Sequence, residues 1–226
     1  MRTSKGAVSG RRRSAGTRAR QDRRNRSGGQ SLVEFALVIP IFLFVLIALI
    51  EFSFIFNAVL TANYATRDAS LVGAEAGSAE GADCVIISKV LEDMRSPVDQ
   101  TDVTKIIIYR AKTAGDPYNG TYENSGNVWE RTGTTDCSAY GKSANLPYTM
   151  TANNYPEGTP STVDGTGGRC NFLSGCPNAS LRTRDAIGVQ VTYHYPWRTP
   201  LGNFLPWANP AFTIIRSNEM RMEPIL

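Results

Sequence analysis

From Phe35 to Ile50 the chain carries no polar side chain, and a glutamate closes the run at each end, Glu34 and Glu51. An apolar stretch that covers every face of a helix has no side to offer water, so it must be wrapped by a large protein or lie in lipid. Leu32 to Phe56 is long enough, at about 1.5 Å per residue, to cross a hydrocarbon core of about 30 Å. The rest of the 226-residue chain is too small and too polar to enclose such a helix. A cleaved secretory signal would be shorter and end in a small-x-small site. The nearest candidate, Ala62-Asn63-Tyr64-Ala65, follows the bulky Phe52-Ser53-Phe54-Ile55-Phe56 and is a poor one. A membrane span over residues 30–56, with Pro40 inside it, is the expectation.

The net charge of +4 averages two opposed regions. Residues 1–29 hold ten Lys/Arg against the single acid Asp22, or +9, and leave −5 for residues 30–226. Arg, Gly and Ser dominate this first segment, which has too little apolar surface to offset its chain entropy and is expected to be a disordered leader. Arg-rich arms can neutralise phosphates. Beside an apolar span, however, positive charge keeps that end in the cytoplasm, and a topological role is preferred to nucleic-acid binding. The remainder would then be extracytoplasmic.

Beyond the span, the alanine-rich stretch Asn57–Glu75 is expected to continue the helix until Gly73, Gly77 and Gly81 interrupt it. Val85, Ile86, Val90, Leu91 and Met94 fit one face of a second helix over residues 82–95, stopped by Ser96-Pro97. Residues 102–111, with Ile106, Ile107 and Ile108, predict a strand buried on both faces in its middle. Residues 112–184 are rich in Gly, Asn, Thr, Ser and Pro, and are expected to form a long exposed, loop-rich insertion with one short hairpin. Ile187, Val189, Val191 and Tyr193 alternate with polar or small residues in a second strand over 186–195. After a Pro-rich loop, 196–210, residues 212–222 predict a last strand. The fold class expected is α+β: a long N-terminal helix running into a small head over residues 57–226, with a second helix and a short antiparallel sheet.

Gly29, four residues, then Glu34-Phe35 and a long apolar helix resembles the processing site of type IV pilin-like proteins. Together with VEFALVIPIFLFVLIALIEF, the alanine-rich helix, the VQVTYHYPW strand and the final RSNEMRMEP strand, it resembles the TadE-like minor pilin (pseudopilin) family of tight-adherence, or Flp, pilus systems. The resemblance covers residues 28–75 well and 185–224 moderately, and says little about 112–184. It implies a non-catalytic subunit cut after Gly29 by a prepilin peptidase, with Gln30 as the new N-terminus. Gln30 departs from the phenylalanine common at that position. Glu34 and Phe35 would then act in assembly, Glu34 pairing with a neighbour's α-ammonium group and so fixing axial register. The implied partners are the peptidase, other minor pilins, the major Flp pilin, the inner-membrane assembly platform and membrane lipid. The competing expectation is an uncleaved single-pass surface receptor or adhesion module.

Four cysteines, Cys84, Cys137, Cys170 and Cys176, all follow the span, on the side where disulfides persist. Three pairings are open; Cys84–Cys137 with Cys170–Cys176 is favoured, and the absence of C-x2-C pairs disfavours structural zinc. No catalytic residue, cofactor or metal site is expected. His194 is the lone histidine, at a polar strand position. Asp136-Cys137-Ser138-Ala139-Tyr140 departs at its last residue from an Asp-x-Ser-x-Ser metal motif, and the oxygen-rich run 116–127 lacks regular calcium-ligand spacing. Asn119 and Asn178 begin glycosylation-type triplets, which are frequent by chance.

Overall fold

The computed structural model describes residues 18–95, 98–111, 117–119, 125–141, 145–157, 168–169, 186–204 and 212–222, with side chains from Gly29 onward. Helix α1 spans Arg18–Ala76 and α2 Ala82–Asp93; the strands are β1 (Val103–Ala111), β2 (Gly126–Glu130), β3 (Thr149–Asn153), β4 (Ala186–Tyr195) and β5 (Phe212–Arg221), with a short α3 (Leu201–Phe204) between the last two. The chain divides into two compact units at Leu49/Ile50.

The first unit is helix wherever it is described. It starts at Arg18, inside the segment expected to be disordered; Arg and Gln are good helix formers, and an apolar helix downstream supplies the nucleus that isolated short helices lack. Residues 1–17 lie outside the described residues. Leu32, Phe35, Leu37, Ile41 and Phe42 are all more than half exposed, so these side chains find little cover among the described residues.

The second unit is the expected α+β fold. Its sheet is antiparallel throughout, in the order β3-β2-β1-β4-β5. Ile106, Ile108, Trp129, Ile187, Val189, Val191, Tyr193 and Tyr195 form one core with α2 and with an alanine stripe of α1, Ala58, Ala62, Ala65 and Ala69. Spacings of three and four residues put those alanines on one helical face, and their small side chains let the helix lie close to the sheet. Gly73 does not interrupt α1 as expected. The helix runs through it, because a Cβ there would come within 3.0 Å of Ile86 Cδ1 and 3.1 Å of Ile187 Cδ1; the close approach, not a turn, asks for glycine. Gly77, at φ 58°, ends the helix.

β1 is buried on both faces, as its run of isoleucines predicts: Ile107, Tyr109 and Ala111 pack on the side away from the helices. Tyr109 sits between Gly126 and Gly188 on the neighbouring strands, and its hydroxyl donates to Glu219 Oε1 at 2.5 Å. An exposed excursion over 112–184 is corrected where the chain is described. The hairpin is present as β2 and β3, but it widens the sheet, and Trp129, Leu146, Tyr148 and Tyr155 enter the main core. Polar composition concealed this because four large side chains, widely spaced, do the burying.

Candidate functional site

The residues singled out at the N-terminal end share one exposed stretch of α1. Gly29, Gln30, Glu34 and Phe35 are all exposed, Phe35 at 65 %. Gln30 Nε2 donates to Glu34 Oε1 at 3.1 Å, an i, i+4 contact within the helix. Gly29 is not demanded by the fold: a Cβ there would meet nothing within 4 Å. A helical glycine costs about 1 kcal/mol against alanine, so its presence calls for a reason outside the chain's own packing. Pro40 is accommodated inside α1, and the carbonyl one turn earlier loses its usual N–H donor.

Glu51 behaves differently. Its carboxylate is buried, 2 % exposed, and held by the head itself. Tyr195 Oη donates to Glu51 Oε1 at 2.6 Å, Arg198 N to the same oxygen at 3.1 Å, and Thr199 N to Oε2 at 2.8 Å. Three donors, two of them backbone, satisfy a charge that would otherwise be expensive to bury. Burial and the adjacent carboxylate push the Tyr195 hydroxyl well above the ordinary phenol range, so it remains a donor at any physiological pH. The signal was present in the sequence: Glu51 lies seven residues before Ala58 and eleven before Ala62, on the face that turns to the sheet. The donors were not visible, because they come from residues about 145 positions away.

A second polar node went unanticipated. Asp83, fully buried, accepts from Asn127 Nδ2 at 2.8 Å and Trp129 Nε1 at 3.2 Å, and meets the guanidinium of Arg169, itself fully buried. Arg169 and Arg110 both lie over the Tyr155 ring, at 5.1 and 5.2 Å from its centre. Gly81 precedes α2 without a capping side chain, and Glu157 takes that role from a distance, accepting from Gly81 N at 3.0 Å and Asp83 N at 2.7 Å. Burial and the nearby Asp83 carboxylate push the Glu157 carboxyl above its ordinary range. This node joins α2, β2 and the chain around residue 169, and its every described partner is a structural one.

Cys84 and Cys137 form a disulfide that ties α2 to the connection between β2 and β3. Cys170 and Cys176 lie outside the described residues, as do Asn178 and residues 116 and 120–124 of the run 116–127. His194 is exposed. Asp136 accepts from Ser138 N at 2.9 Å in a local turn, and among the described residues no cluster of His, Cys, Asp or Glu could hold a metal ion.

A family model described as TadE-like protein matches residues 29–71. No curated protein and no solved structure matches. The matched segment begins at Gly29, runs through both glutamates and ends on the alanine-rich face of α1. The resemblance drawn from the sequence therefore holds over this segment: the chain carries the TadE-like N-terminal helix, which supports a Tad/Flp pilus-associated protein with a membrane anchor.

Proposed function

We propose that the chain is a minor pilin, or pseudopilin, that takes part in assembling or priming an Flp-type pilus. The coincidence of the TadE-like match with a helix whose large apolar side chains are exposed carries this reading. Such a helix needs lipid first and other helices later, and helices in lipid associate through close packing and polar pairing rather than hydrophobicity. In this reading the +9 leader faces the cytoplasm and is removed after Gly29, and the head lies outside. A glycine that packing does not require is consistent with recognition by a peptidase. The Glu34 carboxylate, exposed on an apolar helix, is suited to the new α-ammonium of an adjoining subunit, and TadE-like pilus-associated proteins are generally structural rather than enzymatic.

The N-terminus of the protein recovered from its own cells tests this. Mass spectrometry is expected to find a chain beginning at Gln30, converted back to the full chain by Gly29→Val. An intact Met1–Gly29 segment on functional protein would instead favour an uncleaved surface receptor. Glu34→Gln is expected to reduce incorporation into sheared pili while leaving the amount of protein in the membrane unchanged.

A further inference from the structure

Glu51 stands at a defined level of the chain. Gln30 to Ile50, as a helix, is about 31 Å long, which matches the bilayer hydrocarbon core, and Glu51 is the next residue. The turn that follows is still greasy outside: Phe52, Phe54 and Phe56 are 64, 42 and 55 % exposed. At about 100° per residue these phenylalanines fall on both flanks of Glu51, Phe52 and Phe56 on one and Phe54 on the other. A single partner helix covers one flank; lipid covers both.

The loop that holds Glu51 lies beside this same turn. It carries Trp197, half-buried against Gly202, and the exposed Arg198 and Pro200. Phe212, paired with Tyr195 across the sheet, is 52 % exposed. Tryptophan and arginine beside an apolar span are the composition of the membrane–water interface, where an aromatic body meets acyl chains and a polar end meets water.

We infer that the Glu51 clasp is a membrane foot: by binding Tyr195 and the backbone of Arg198 and Thr199, it holds the 196–200 loop and Phe212 in the headgroup layer of the leaflet that the helix leaves, with Phe52, Phe54 and Phe56 around it. The partner is the lipid surface, and the inference rests on the membrane-spanning reading of α1. Held this way, the head is fixed in height against the bilayer before any other subunit arrives.

The test uses the full chain with Trp207→Phe, which leaves Trp129 and Trp197, in phosphatidylcholine vesicles without other pilus proteins. Lipids brominated near the headgroup are expected to quench the component that Trp197→Phe removes at least about twofold more than lipids brominated deep in the acyl chain, with iodide in the buffer quenching it little. Glu51→Ala is expected to release the loop and make Trp197 accessible to iodide; Tyr195→Phe, which removes one donor and keeps the ring, should do so in part. Intact Cys84–Cys137 linkage on non-reducing gels shows that the head still folds in both variants. A Trp197 that iodide reaches freely in vesicles, or that is shielded only after other subunits are added, overturns the foot. So does a wild-type depth in both variants. Flotation separates the two readings: a chain that floats with lipid while Trp197 stays in water keeps its span and loses its foot, whereas a chain that does not float loses both.

Discussion

Glu34 and Glu51 belong to the same helix, yet their settings are opposite. Glu34 is exposed in an apolar stretch and takes its described hydrogen bond from Gln30, one turn away. Glu51 is buried and bound by three donors from the far end of the chain. The contrast extends to their surroundings: up to Leu49 the helix shows bulky apolar side chains outward, and from Glu51 it turns a narrow face of alanines onto a sheet. Among the described residues, the first half of α1 leaves its apolar side chains exposed, while the second half buries its alanine stripe in the head's core.

The largest expected blow to the second half that leaves the first alone is Asp83→Ala. Arg169 would remain buried without its carboxylate, at a cost of about 3–5 kcal/mol. Denaturant unfolding of the head should shift accordingly while flotation with lipid is unchanged; an unchanged midpoint would mean that Arg169 finds solvent and that the node matters little. Replacing Cys84 and Cys137 together by serine should remove about 2–4 kcal/mol, read in the same way. Glu51→Ala is expected to cost about 1–3 kcal/mol by leaving backbone N–H groups near Arg198 and Thr199 without an acceptor, whereas Glu34→Gln should leave head unfolding untouched. If the two glutamate variants shift the midpoint equally, the division of labour drawn between them is wrong.

The smallest expected effect concerns pH. Because burial holds the Glu157 carboxyl above its ordinary range, the folded head binds that proton more tightly than the unfolded chain does. Its contribution is therefore fullest below the unfolded value and declines as pH rises through the folded one. Wild-type protein should lose more stability than Glu157→Gln between acid and neutral pH; parallel curves for the two would remove Glu157 from the account.

Much of this architecture was legible beforehand, and for local reasons. Periodicity located α2 and β4 because each buries a face whose spacing the backbone imposes, and a continuous apolar run located β1, which is buried on both faces. The hairpin of β2 and β3 was expected, but its burial escaped, because that depends on Trp129, Leu146, Tyr148 and Tyr155 reaching a core already formed by others. The polar nodes escaped for a related reason: Asp83 and Arg169, or Glu51 and Tyr195, have no sequence proximity to announce them.

By itself, the sequence determined that this protein has an apolar helix too long and too uniform for water, a basic end before it, and a mixed helix-and-strand head after it. Those properties follow from composition and spacing, which act over a few turns of chain. Only the tertiary structure decided that one glutamate is the head's own and the other is left facing outward. Burying a charge depends on which donors the folded chain brings to it, and that is settled by contacts across the whole length of the molecule.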